Sequence, residues 1–217
     1  MVFVSVLIAP VVMAAATATE RRLGPSAGGR VAALPLGFAV ALAAVAIDAG
    51  GASASAMALS AASHVPAQVL FAAAFATAVT RSGAALAGAA GVLAYVAGAV
   101  LLALLPDAVA VAVSVPLLAL APRMVTASPP RQGTPKPWST TVATCAVPAL
   151  IVAVAVLATR LAGPVAAGAV AAFPTVSATL AIAVTKSDGG AAGAHVLGGM
   201  IRSLPVYLAF CLLVAVQ

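Results

Sequence analysis

Long apolar runs fill most of the chain, and short stretches of Gly, Pro and charged residues separate them. A helix that crosses a bilayer needs about 20 consecutive apolar residues. Eight runs come near this length: 1–19, 28–47, 52–80, 83–105, 107–122, 139–158, 164–185 and 190–216. The pattern predicts an all-α integral membrane protein with about eight transmembrane helices.

Three of these runs leave alternatives open. The run 1–19 also resembles a secretory signal peptide, although it lacks the basic start of such peptides. The run 52–80 contains several serines, a histidine and a proline, which favours a tilted, kinked helix or a helix preceded by a re-entrant piece. The run 107–121 is short and contains Pro116, so it is the weakest candidate for a span.

One connection is clearly polar. Residues 122–138 contain five prolines and no apolar run, which is typical of a loop outside the bilayer. This loop divides the chain into a first unit, residues 1–121, with about five spans, and a second unit, residues 139–217, with about three.

The two units contain a repeat, which is seen when the chain is aligned with itself so that Pro25 falls on Pro164. At this repeat offset no gap is needed, and further prolines and twin glycines coincide: Pro35 with Pro174, Pro66 with Pro205, and Gly50-Gly51 with Gly189-Gly190. Coincidence of composition is the alternative. Matched prolines weigh against it, whereas matched alanines mean little in a chain so rich in alanine. We interpret the repeat as a gene duplication.

The distribution of basic residues predicts that the two copies are inverted. If all eight runs span and the N-terminus lies outside, eight of the ten Lys and Arg residues are cytoplasmic, Arg160 is outside and Arg202 lies within a span. If the run 107–121 does not span, the copies are parallel, and the basic residues outside the spans divide into five on one side of the membrane and four on the other. The positive-inside rule therefore favours inverted repeats in a five-plus-three arrangement, with both termini outside and the loop 122–138 in the cytoplasm.

Composition and charge exclude several classes of protein. The 217 residues are 64% hydrophobic and 6% charged, whereas soluble domains carry about 25% charged residues. A cytosolic enzyme, a secreted disulfide scaffold and a disordered chain are therefore excluded. The net charge of +6 comes without a basic stripe interleaved with aromatics, so it indicates membrane orientation and not nucleic-acid binding.

Little in the sequence favours catalysis. The chain has four acidic residues and no nucleophile, zinc or phosphoryl-transfer motif, so we expect no enzyme, no cofactor and no metal site. Cys145 and Cys211 lie inside apolar runs, which is typical of small buried side chains.

A proline interrupts the apolar run at matching positions of the two copies, in AALPLGF at 32–38 and AAFPTVS at 171–177. Such a proline frees a backbone carbonyl, and the half-helix that follows presents free N–H groups that suit an anion or a polar group. Interrupted helices at matching positions indicate a transporter's binding site, although they also occur as simple kinks. The substrate-binding candidates here are Pro35, Gly37, Pro174, Thr175, Ser177 and Thr179.

Two ionisable residues inside predicted spans complete the candidate site. His64 lies two residues before Pro66, and Arg202 lies three before Pro205. Ionisable groups within spans are functional candidates by default. His64 is a candidate for proton coupling and Arg202 for holding an anionic group. The structural alternative is a histidine bonded to a backbone carbonyl and an arginine that reaches the lipid headgroups.

These features predict a small secondary transporter or exporter that moves a small polar or anionic solute by alternating access. The alternatives are a lipid flippase and a structural membrane subunit of a larger complex. The expected partners are membrane lipid and a small-molecule substrate, and a homodimer would help three spans of the second unit to enclose a cavity. We expect a multi-pass location in the cell membrane, in a bacterial inner membrane.

Overall fold

The computed structural model describes residues 2–125 and 163–217, with the backbone alone for residues 2–10. This part of the chain is almost entirely helical and contains no strand. Its helices are α1 (Val2–Leu23), α2 (Pro25–Ala32), α3 (Leu36–Ala49), α4 (Gly51–Ser63), α5 (Val65–Leu102), α6 (Asp107–Met124), α7 (163–171), α8 (Thr175–Asp188) and α9 (Gly190–Ala215).

Glycines with positive φ make the sharp turns between helices. Gly50 (φ 85°) ends α3 and begins α4, and Gly189 (φ 91°) does the same between α8 and α9. An L side chain is strained in this conformation, so glycine lets one helix follow another without a loop. Gly83 (φ 74°) lies inside α5 and divides it into two helical pieces.

The helix boundaries recur at the offset found in the sequence. The repeat offset carries the ends of α3, Leu36 and Ala49, onto Thr175 and Asp188, which are the ends of α8. The turns at Gly24 and Gly163 are likewise equivalent in the repeat, and both have positive φ. The sequence match therefore extends to local backbone conformation.

Five helical stretches are long and apolar enough to cross a membrane: Pro25–Ala49, Gly51–Leu102, Asp107–Met124, Gly163–Asp188 and Gly190–Ala215. Many large apolar side chains on them are exposed, as expected of surfaces that face lipid. These long apolar helices are compatible with a multi-pass membrane protein. The stretch Gly51–Leu102 has 52 residues, more than twice what one crossing needs.

The predicted spans correspond to the helices as follows. The runs 52–80 and 83–105 share the 52-residue stretch that Gly83 interrupts, and the run 1–19 lies in α1. The weak run 107–122 is a helix that continues to Met124 through Pro116 and Pro122. The predicted span 139–158 and most of the predicted loop 122–138 lie outside the described residues.

Glycines allow very close helix packing between the two copies. A Cβ on Gly29 of α2 would collide with the carbonyl oxygen of Val196 on α9, and one on Gly199 would collide with that of Ser26. In the other copy, a Cβ on Gly168 of α7 would collide with the Met57 carbonyl oxygen on α4. Gly168 and Met57 are the repeat equivalents of Gly29 and Val196, so the same contact is made twice with the partners exchanged.

Contacts along their lengths give the relative directions of these helices. From Gly29 against Val196, the α2–α3 pair continues to Phe38, whose ring centroid lies 5.6 Å from that of Tyr207 on α9. Farther on, the C-terminal half of α3 and residues 210–217 line one groove. Residue numbers rise together, so α2–α3 and α9 run in the same direction.

The helices of the equivalent contact, α7–α8 on one side and α4–α5 on the other, have the same relative direction. After Gly168 against Met57, Phe173 packs edge-on against Phe71 of α5 with ring centroids 5.6 Å apart. Beyond α8, a Cβ on Gly190 would lie 3.0 Å from the carbonyl oxygen of Val79. Thus α7–α8 runs in the same direction as α4 and the first half of α5.

Candidate functional site

A cavity of about 110 Å³ lies where the two interrupted helices meet. The α2–α3 break contributes residues 32–35 with Gly37 and Phe38, and the α7–α8 break contributes residues 171–177. The rest of its described lining comes from α1, α5 and α9. Equivalent segments of the two copies therefore share one cavity.

The first break follows from the chemistry of Pro35. The α2 helix ends with the backbone N–H groups of Ala33 and Leu34 donating to the carbonyls of Gly29 and Val31, both at 3.2 Å. Pro35 has no N–H with which to continue this ladder, so the helix stops and the chain turns into α3. Pro35 then caps α3, since its carbonyl accepts the N–H of Ala39 at 2.7 Å.

The second break repeats these bonds. The N–H of Phe173 donates to Val170 O at 3.2 Å, and the carbonyl of Pro174 accepts the N–H of Ala178 at 2.8 Å. Each donor and acceptor is the repeat equivalent of its counterpart in the first break. In this copy the Thr175 N–H and the Thr175 hydroxyl both donate to the Phe173 carbonyl, at 2.7 and 3.2 Å, and satisfy an acceptor that the break exposes.

Two helix N-termini begin at the cavity. The first backbone N–H groups of α3 and α8 have no partner within their own helix, although the Thr175 N–H donates to Phe173 O just before α8 at 2.7 Å. The helix dipole adds partial positive charge at both ends. Gly37 lies in the first turn of α3, and a Cβ at this position would meet no atom within 4 Å. The first turn of α3 therefore borders open space.

Two more polar side chains face the cavity from the helices packed around it. Gln68 on α5 and Tyr207 on α9 both line it, and they are only 4% and 7% exposed. Among the described residues, the Gln68 Nε2 and Tyr207 hydroxyl atoms have no hydrogen-bond partner. The Cys211 thiol lies beside the Tyr207 hydroxyl, but a thiol is a weak acceptor. Gln68 and Tyr207 are themselves equivalent positions of the repeat.

The cavity walls are mostly apolar and carry no charged side chain among the described residues. Tyr95 and Phe71 pack edge-on against Phe173, with ring centroids 5.1 and 5.6 Å away, and hold it at the break. The Tyr95 hydroxyl donates to Ala169 O of α7 at 2.6 Å, as expected for a tyrosine within a span. None of the chain's four acidic residues lines the cavity, and its described lining contains no Lys, Arg or His.

The structure brings together five of the eight residues that the sequence singled out. Pro35, Gly37, Pro174, Thr175 and Ser177 all line the cavity. The assignment of substrate binding to them stays a prediction.

The other three do not line the cavity. Thr179 lies one turn further along α8, and its hydroxyl donates to Thr175 O at 2.8 Å. His64 is buried at the α4–α5 break, with Nδ1 2.6 Å from Ser60 O. Arg202 is exposed, and its guanidinium donates to the Ser26 hydroxyl at 3.3 Å, beside the Gly24 turn. The His64 contact is with a backbone carbonyl, which is the structural alternative given above for that residue. The proposed roles of His64 and Arg202 stay predictions.

Sequence reasoning missed Gln68 and Tyr207. A usable signal was present, because the two residues align at the repeat offset and Gln68 lies one helical turn after His64. An uncharged polar residue in a span attracts less notice than an arginine or a histidine.

Comparison with models of protein families, with curated proteins and with solved structures finds no match for this chain. Any assignment of function therefore rests on the cavity and on the helices that form it.

Proposed function

We propose that the protein is a small secondary transporter that moves a small polar or anionic solute by alternating access. The observation that carries this proposal is that equivalent interrupted helices of the two copies meet at one cavity. Interrupted helices from paired repeats form the substrate site in many secondary transporters. Irregular backbone at membrane depth is tolerated where it is buried in protein or lines a cavity.

The proposal includes inverted copies. Because α2–α3 runs with α9, and α9 follows α8 through the turn at Gly189, α3 and α8 have opposite directions. The contacts of α7–α8 with α4 and α5 support the same conclusion independently. Two crossings in Gly51–Leu102 and the predicted span 139–158, which lies outside the described residues, complete the eight proposed spans with both termini outside.

The size of the cavity bears on what is moved. Sites for drug-sized ligands typically measure about 300–1,000 Å³, and this cavity measures about 110 Å³. It suits an inorganic ion or a solute with very few heavy atoms. Such a volume argues for solute transport over the flippase alternative, since a phospholipid headgroup needs more room.

Protein-dependent flux is the direct test. The purified chain is reconstituted into liposomes loaded with labelled small solutes (chloride, nitrate, formate, acetate and glycine), and efflux is compared with that from protein-free liposomes. The proposal expects saturable efflux of at least one solute. The absence of protein-dependent efflux for the whole panel would overturn it.

A matched pair of variants ties the flux to the cavity. Gly37→Leu fills open space in the cavity, so flux should be lost while the protein folds normally. Gly51→Leu is the control, because Gly51 also starts a helix and has an open Cβ position but lies outside the cavity. Equal flux in the two variants would show that solute takes another route.

A further inference from the structure

Three buried side-chain polar atoms of the described residues lack a hydrogen-bond partner, and two of them, Gln68 Nε2 and the Tyr207 hydroxyl, belong to side chains that line the cavity. Polar groups buried in lipid or protein are hydrogen-bonded in nearly all native structures, so each exception calls for an explanation. Gln68 and Tyr207, whose side chains carry these two atoms, both line a single cavity of about 110 Å³. They belong to different copies and occupy equivalent positions in the repeat.

The chemistry of these atoms selects the kind of ligand. The Gln68 amide nitrogen is a donor only, and the Tyr207 hydroxyl donates one hydrogen bond. The first turns of α3 and α8 add backbone N–H groups and partial positive charge on the same cavity. A ligand that satisfies all of them must be rich in acceptors.

The absence of carboxylates argues against a cation. No Asp or Glu of the chain lines the cavity, so a desolvated cation would have no negative side chain to balance it. An anion, in contrast, would meet donors from both copies. Since no Lys or Arg of the described lining adds charge, the helix N-termini favour a single negative charge over two.

We propose that this cavity binds a small monovalent anion, either an inorganic anion or a carboxylate of one or two carbons, between Gln68 Nε2 and the Tyr207 hydroxyl. The anion accepts one hydrogen bond from each copy and lies at the N-termini of α3 and α8. This inference deepens the proposed function by naming the solute class, and it rests on that function only for the role of the site in transport.

Binding is measured on the purified full chain by thermal unfolding in detergent. Sodium chloride, nitrate, formate and acetate are titrated against sodium gluconate at constant ionic strength, and choline chloride replaces sodium chloride to separate anion from cation effects. We expect stabilisation by at least one small anion, independent of the cation. Stabilisation that follows sodium, or none with any of these salts, would overturn the proposal.

Variants locate the binding. Tyr207→Phe and Gln68→Met each remove one donor while keeping the side-chain volume, and each should weaken the apparent Kd about tenfold or more. Ser114→Ala is the control, because it removes a buried hydroxyl on α6 that bonds to Ala110 O and lies outside the cavity lining. An unchanged Kd in both cavity variants would contradict the proposal, whatever their stability.

The binding result is independent of the flux result. Anion binding that depends on Gln68 and Tyr207, without flux, would support the anion site and contradict the proposed transport function. Flux that is unchanged in Tyr207→Phe and Gln68→Met would support the transport function and contradict the proposed anion site.

Discussion

Gly29 of α2 lies directly against the carbonyl oxygen of Val196 on α9, and Gly168 lies in the same way against Met57. The two contacts join the same positions of the repeat with the copies exchanged. Small residues at such crossings allow close van der Waals packing, which drives helix association in a bilayer where hydrophobic burial does not. Each copy therefore contributes one glycine of this kind to the interface between the two copies.

Substituting Gly29 should weaken this crossing. Gly29→Ala places a Cβ into backbone that cannot move as a flexible side chain would, so we expect a loss of about 1–3 kcal/mol in the free energy of unfolding. Thermal unfolding in detergent measures the change. Gly37→Ala is the control, since its Cβ meets open space and alanine favours a helix by about 0.8–1.0 kcal/mol over glycine. Equal stabilities of the two variants would contradict the packing described here.

The hydrogen bond from Ser60 to Val165 is expected to contribute to the same interface. The Ser60 hydroxyl donates to Val165 O at 2.7 Å, at the positions equivalent to Gly199 and Ser26. Interhelical hydrogen bonds in membrane proteins contribute about 0.6 kcal/mol on average, so Ser60→Ala should cost about that amount. Ser53→Ala is the control, because the Ser53 hydroxyl bonds only within its own chain segment, to Ala49 O. A loss of stability in Ser53→Ala alone, with none in Ser60→Ala, would contradict this expectation.

Tyr95 is expected to stabilise the second break. Tyr95→Phe leaves the carbonyl of Ala169 without its 2.6 Å hydrogen bond close to the cavity, while the edge-on contact with Phe173 is kept. We expect a loss of about 1–2 kcal/mol, measured by thermal unfolding. An unchanged melting temperature would mean that another donor reaches Ala169.

The sequence was informative about the breaks because proline acts locally. Pro35 and Pro174 cannot donate a backbone hydrogen bond, so the interruption is decided within a few residues, and both lie at helix N-termini as the spacing predicted. The positions of the helix turns were similarly accessible, because Gly50 and Gly189 are needed for a positive φ.

The composition of the cavity was not accessible in this way. Gln68 and Tyr207 meet because α5 and α9 pack around both breaks, and helix packing depends on the complete set of small residues at the crossings. Arg202 drew attention as a charge within an apolar run, yet its long side chain bonds to Ser26 beside the Gly24 turn. Charge within a span indicates function only when the side chain faces the interior of the bundle.

Inverted copies predict opposite labelling of equivalent turns. With Cys145 and Cys211 replaced by Ala, Ala52→Cys beside the Gly50 turn should react with a membrane-impermeant thiol reagent from outside the cell. Ser187→Cys, beside the Gly189 turn, should react only after the membrane is permeabilised. Reporter fusions in 122–138 and in 159–163 provide an independent check and should report opposite sides. Labelling of both turns from one side would establish parallel copies.

The interruption at Pro174 itself is open to test. Pro174→Ala supplies an N–H group that allows α7 to continue into α8, which removes the free N-terminus from the cavity. We expect flux and anion affinity to fall about tenfold or more, since a loss of about 1.4 kcal/mol in binding is sufficient for this, while thermal stability is kept or raised. Pro205→Ala is the matched control, because Pro205 is exposed within the continuous helix α9 and does not line the cavity. Full flux in Pro174→Ala would mean that the solute site does not depend on the break.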